Sequence, residues 1–91
     1  MSALNKAVQM ATIRVRLRDL MREKTLRDGR NPEYQAITQE EVADAIGISR
    51  ATMSDWSREK VTRLDKDILA KLCVYFGCGI EELLYLELEG V

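Results

Sequence analysis

The chain has no histidine, only two cysteines and one proline among 91 residues, and no apolar run near the ~20 residues of a membrane span. The chain shows no histidine, no glycine-rich phosphate loop and no nucleophile set beside a base, so no enzyme is expected at this size. Cys73 and Cys78 are too few and wrongly spaced for a zinc site, and Cys73 falls on the apolar stripe Ile68, Leu69, Leu72, Phe76. Both are read as core thiols in a reducing compartment, with no metal and no cofactor expected. The opening MSALNKAVQM is mixed and polar where a secretory leader is apolar, so the expected location is the cytoplasm, with no membrane partner. A chain of this length buries roughly 60–65% of its unfolded surface, enough for one core. Residues 1–91 are therefore expected to form a single domain with no room for a small-molecule effector domain.

Excess basic charge is also missing, since the net charge is −1. The charges are nevertheless segregated. Residues 1–30 carry eight bases against three acids (+5), residues 77–91 carry four glutamates and no base (−4), and the middle carries −2. A charged ligand responds to the field within about 8–10 Å, so an acidic end need not cancel a basic face elsewhere, although it weakens non-specific attraction to a polyanion.

What is present centres on Gln39 to Arg58, QEEVADAIGISRATMSDWSR. Val42 and Ile46 lie four apart, Met53 and Trp56 three apart, so two short helices each offer one apolar stripe to a common core. Gly47 stands where a tight turn needs positive φ, Ile48 plugs the corner, and Ala43 is small enough for a close crossing. Thr38 with Glu41 fits a capping box, and Ser49 can cap the second helix. Together these features predict a helix-turn-helix over 39–58, a device that holds its second helix in the major groove of DNA.

Flanking segments are read more coarsely. Thr25 to Ile37 is expected to be a turn-rich loop, with Gly29 and Asn31-Pro32 as its corners and with Arg27 and Arg30 read as solvated charges that can reach phosphates. Asp65 can cap a helix over Lys66 to Phe76 that Gly77 ends, and a short helix follows at Ile80 to Leu84. Two readings fit both ends. Ile13, Leu17, Leu20 and Met21 make a helical stripe, but Ile13, Val15 and Leu17 also alternate with Arg14, Arg16 and Arg18 as in a strand, and Leu84, Leu86 and Leu88 alternate likewise with Tyr85, Glu87 and Glu89. If both are extended, strands over 12–17 and 84–89 form a small terminal β-ribbon whose arginine face meets a glutamate face. Leucines 84, 86 and 88 then either close the core or supply a two-fold interface.

The stretch ITQEEVADAIGISRATMSDW, followed by a polar segment and LDKDILAKLCVYFGCGIEELL, resembles the Cro/CI-type (XRE-like) helix-turn-helix family of prokaryotic and phage transcriptional regulators, over about residues 12–25 and 37–85. Short single-domain members are the most similar, especially through KLCVYFGC. The resemblance implies an all-α fold, a compact bundle of about five helices of the lambda-repressor-like DNA-binding type, here with the terminal ribbon as an addition. It also implies duplex-DNA binding, commonly as a homodimer on an inverted-repeat operator. The segment TLRDGRNPEYQAI is longer than the family's usual connection at that place.

With Ser49 as cap, residues 50–57 are the expected recognition helix. Met53 and Trp56 face inward, leaving Arg50, Ala51, Ser54 and Asp55 as expected base contacts. Arginine can donate twice to guanine, alanine can touch a thymine methyl, serine can donate or accept, and Asp55 can either accept from cytosine or hold Arg58. Phosphate contacts are expected from Gln39 at a helix start, where the resemblance points as well, from Ser49 and Thr52 at the groove edge, and from the basic run Arg58, Lys60, Arg63. The expected function is sequence-specific duplex-DNA binding by a transcriptional regulator, a repressor. The alternative is a protein-interaction module, such as an antitoxin or accessory subunit, that uses the helix-turn-helix as a scaffold.

Overall fold

The computed structural model describes residues 11–88. Within them β1 (Ala11–Val15) leads into α1 (Leu17–Arg27), followed by α2 (Gln39–Ile46), α3 (Arg50–Ser57), α4 (Lys66–Phe76), α5 (Ile80–Leu83) and β2 (Leu84–Leu88). Five helices form the bundle, and the two strands pair antiparallel with Ala11 opposite Leu88 and Val15 opposite Leu84.

The ribbon reading of the ends therefore holds, with shifted limits. β1 stops at Val15 because Leu17, almost fully buried, already opens α1, and the Arg16 amide donates to the Leu83 carbonyl at 2.8 Å as the chain turns. Residue 89, the expected end of the second strand, lies outside the described residues. Arg14 faces Glu87 across the strands at 2.5 Å, the opposite-charge contact expected of a paired ribbon. On the other face the pairs run Val15–Leu84, Ile13–Leu86 and Ala11–Leu88. Val15 and Leu84 pack on the helical core, whereas Ile13, Leu86 and Leu88 are exposed. The leucine alternation thus divides: Leu84 helps to close the core and the other two project beyond it.

That core is built from one stripe per helix. Leu17 and Leu20 come from α1, Val42, Ala43 and Ile46 from α2, Met53 and Trp56 from α3, Leu72 and Phe76 from α4 and Leu83 from α5, with Ile37 closing the loop side. Cys73 and Cys78 are free, half-buried thiols at the margin of this cluster, and burial raises the Cys78 thiol above its ordinary range.

Helix ends follow the local chemistry read from the sequence. Thr38 Oγ1 accepts from the Glu41 amide at 3.1 Å, Ser49 Oγ from the Thr52 amide at 3.0 Å, and Asp65 Oδ1 from Asp67 and Ile68. Gly47 adopts φ 76°, and the Gly47 and Ile48 amides both return to the Ala43 carbonyl, so the glycine closes α2. A Cβ at Gly47 would meet nothing within 4 Å, so Gly47→Ala carries a backbone penalty alone. The expected loss is about 1–2 kcal/mol, measured by chemical denaturation, with the same folded spectrum.

The loop between α1 and α2 starts after Arg27 and not at Thr25, because the Thr25 side chain packs into the core and α1 continues through it, and the loop is tied down at both ends. Buried Thr25 donates to the Met21 carbonyl and accepts from the Ile37 amide, while Asn31 Oδ1 accepts from Glu33 in a local turn. Its arginines depart from expectation. Arg27 donates to the Phe76 carbonyl at the end of α4, and Arg30 grips the Glu41 carboxylate with two bonds of 2.9 and 2.6 Å. Carbonyls left open at a helix end, and a carboxylate within reach, hold these guanidinium groups against the protein.

Candidate nucleic-acid interface

The geometry of α3 starts from its buried side. Met53 (0% exposed) and Trp56 (2%) fix the rotation of the helix on α2 and α1, which turns Arg50, Ala51 and Asp55 to solvent and leaves Ser54 half-buried. The four expected base-contact residues are thus on one helix, with the outermost three open to a ligand.

Two of them have intramolecular partners that sequence reading did not assign. Arg50 pairs with Glu40 of α2 at 2.5 Å, both side chains more than half exposed (69% and 56%). An ion pair this open contributes about 0–1 kcal/mol, so a better acceptor can displace the carboxylate. Ser54 Oγ accepts from Arg58 Nε and Nη2 at 3.1 and 2.7 Å. Arg58 is therefore held by Ser54 and not by Asp55, which corrects one of the two roles expected for that acid.

The residues expected at phosphates lie at the margins of the same helix. Gln39 opens α2, and its side-chain amide donates to Ser57 Oγ at 2.7 Å, linking the start of α2 to the end of α3. Backbone amides 39 and 40 have no acceptor among the described residues, so the positive end of α2 is available to an anion. Ser49 donates to Thr52 Oγ1 at 2.8 Å as well as capping α3. Lys60 and Arg63 are exposed on the loop after α3, and neither side chain has a hydrogen bond or ion pair among the described residues.

Two carboxylates beside this face are held ionised. The Arg30 guanidinium keeps Glu41 below the usual carboxylate range, and the Thr38 amide, the other half of the expected capping box, adds a smaller effect. Arg14 does the same for Glu59, two residues beyond α3, with help from the Val15 amide. Glu59 sits at φ 57°, the only non-glycine at positive φ among the described residues, and no pattern of residue types announced it.

A family model for the Cro/C1-type HTH DNA-binding domain matches residues 34–89. The chain belongs to that family. Neither the curated proteins nor the solved structures searched contain a match. Membership brings DNA binding and a role in transcription regulation, and the Cro/C1-type family is not an enzyme family. Double-stranded DNA is accordingly its partner. No helix among the described residues is long and apolar enough to cross a membrane. The matched stretch takes in α2 to β2, so this Cro/C1-type chain carries β1, α1 and most of the following loop outside the family match.

Proposed function

We propose that this chain is a sequence-specific repressor that lays α3 in the major groove and binds an inverted-repeat operator as a homodimer. The observation that carries the reading is the outward row Arg50, Ala51 and Asp55 on a helix braced by Met53 and Trp56. A guanidinium at the first turn of such a helix can reach guanine O6 and N7, a contact worth about 1–3 kcal/mol against a wrong base. Phosphates are contacted by Gln39, Ser49 and Thr52 on one margin and by Arg58, Lys60 and Arg63 on the other. One eight-residue helix reads few bases, and two copies on half-sites ~34 Å apart multiply the contacts.

Selection of bound duplexes from random DNA tests this directly. A bound set with two-fold symmetric half-sites is expected, and Arg50→Ala is expected to flatten preference at one base position by roughly 5- to 100-fold while other positions keep theirs. A variant with unaltered preference throughout would show that α3 presents a different row.

The acidic balance and the exposed Ile13, Leu86 and Leu88 favour a second reading, an accessory subunit whose main surface meets another protein. A chain that shifts no duplex at low salt yet co-purifies stoichiometrically with one partner would support it over the first.

A further inference from the structure

A cleft of about 410 Å³ opens where β1, the start of α1 and the end of α3 converge, and four arginines, Arg14, Arg16, Arg18 and Arg58, line it with Ser57 and two carboxylates, Asp19 and Glu59. Two of the four, Arg14 and Arg16, have carboxylate partners. Arg14 is claimed by two carboxylates, Glu59 and Glu87. Arg16 spends one nitrogen on the Glu82 carbonyl and lies 3.6 Å from Asp19, itself widely exposed. Arg58 rests on the Ser54 hydroxyl, a neutral acceptor. Arg18 is exposed and makes no hydrogen bond or ion pair among the described residues. Four guanidinium groups thus face three carboxylates, Asp19, Glu59 and Glu87, so the cleft keeps a net positive charge, with Arg18 and Arg58 outside any ion pair, in a chain whose total charge is negative.

Its position gives that charge a target. Ser57 lines the cleft and also accepts from Gln39, so the open amides of α2, the end of α3 and the arginine cleft form one continuous margin. We infer that Arg16 and Arg18, at the start of α1 beside Arg58, form a second phosphate-binding site that takes a backbone phosphodiester of the bound duplex, in addition to the helix-turn-helix contacts proposed above. This rests on the DNA-binding reading and extends its footprint to α1. Arg16 and Arg18 lie outside the family-matched residues, so the contact is supplied by this chain's own N-terminal segment. A guanidinium forks onto two phosphate oxygens, and each neutralised phosphate releases condensed counterions whatever the base sequence.

The test is binding of a mixed-sequence duplex of about 25 base pairs, followed by fluorescence anisotropy at stepped KCl for the full chain and three single variants. Arg16→Ala and Arg18→Ala are each expected to lower the slope of log K against log[salt] by about one and to weaken all sequences alike. Lys71→Ala removes the same charge from the groove between α2 and α4, which shares no residue with the cleft, and is expected to leave the slope at the wild-type value. A slope unchanged in a folded Arg18→Ala chain that still binds overturns the inference alone, whereas a wild-type chain that binds no duplex overturns the DNA reading with it. Inorganic phosphate that raises the melting temperature more than chloride at equal ionic strength, together with an unchanged slope, assigns the cleft to a small anion and also overturns it.

Discussion

Replacing Trp56 by alanine is expected to remove about 3–5 kcal/mol of stability, the range for emptying a large aromatic site in a packed core. The indole is 2% exposed, and it shares the core with stripes from every other helix. A domain of this size holds only about 5–15 kcal/mol in total, so the variant sits near the threshold of unfolding. In thermal denaturation the midpoint should fall by more than about 12 °C. Trp56 also sets the rotation of α3 that aims Arg50 outward, so what remains folded at low temperature should bind DNA with degraded base preference. Trp56→Phe keeps an aromatic ring in the site and should lose much less on both measures. A Trp56→Ala chain that melts within ~3 °C of wild type would mean that the indole fills no structural role and that α3 is oriented by something else.

The same helix shows what residue order alone could reveal. Capping by Ser49, closure by Gly47, the inward pair Met53 and Trp56, and the Asp65 cap of α4 depend on residues within four positions of one another. Propensity and periodicity act at that range, and each appeared where the chain's chemistry put it. The ribbon was half legible. Alternation marked both ends as strand-capable, but the choice between strand and helix at Ile13 to Leu17 depended on whether the other end arrived to pair with it, 73 residues away in the Arg14–Glu87 contact.

Charged groups were the hardest to assign, for a physical reason. A guanidinium on a long flexible stem reaches carboxylates and carbonyls that only the tertiary fold brings near. Arg27 and Arg30, read as solvated charges within reach of phosphates, are turned to the Phe76 carbonyl and to Glu41. Arg50 has the unforeseen partner Glu40, and Arg58 chose Ser54 over Asp55. The exception is the terminal ribbon, where strand alternation alone foretold that arginine would meet glutamate.

Glu59 carries the second large effect. It follows α3 in the left-handed region, and the Lys60 amide returns to the Asp55 carbonyl, the helix-ending arrangement that glycine serves after α1, α2 and α4. A glutamate there costs about 1–2 kcal/mol of backbone strain relative to an unstrained residue. Its carboxylate repays the position by accepting from Arg14 Nε and Nη2 at 2.8 and 2.7 Å and from the Val15 amide at 2.9 Å, which fastens β1 to the end of α3. Two substitutions separate these opposing contributions. Glu59→Ala keeps the strain and loses the clamp, so β1 amides should lose hydrogen-exchange protection and global stability should fall. The charged bond to the Val15 amide alone accounts for a loss of about 1.5 kcal/mol, the lower end for such bonds because water reaches the site. Glu59→Gly loses the same clamp but relieves the backbone, so it should be more stable than the alanine variant by about 1 kcal/mol while leaving β1 equally unprotected. Acid reads out the same bond. The carboxylate's folded pKa lies below its ordinary value of 4.5, so its contribution is complete above that value and is lost as pH falls through the folded pKa. Wild-type stability should decline below about pH 4.5 more steeply than that of Glu59→Gln, because the amide has no charge to lose. Equal acid sensitivity in the two chains, with β1 protected in both, would mean that the ribbon is held by its apolar contacts with the core and not by Glu59.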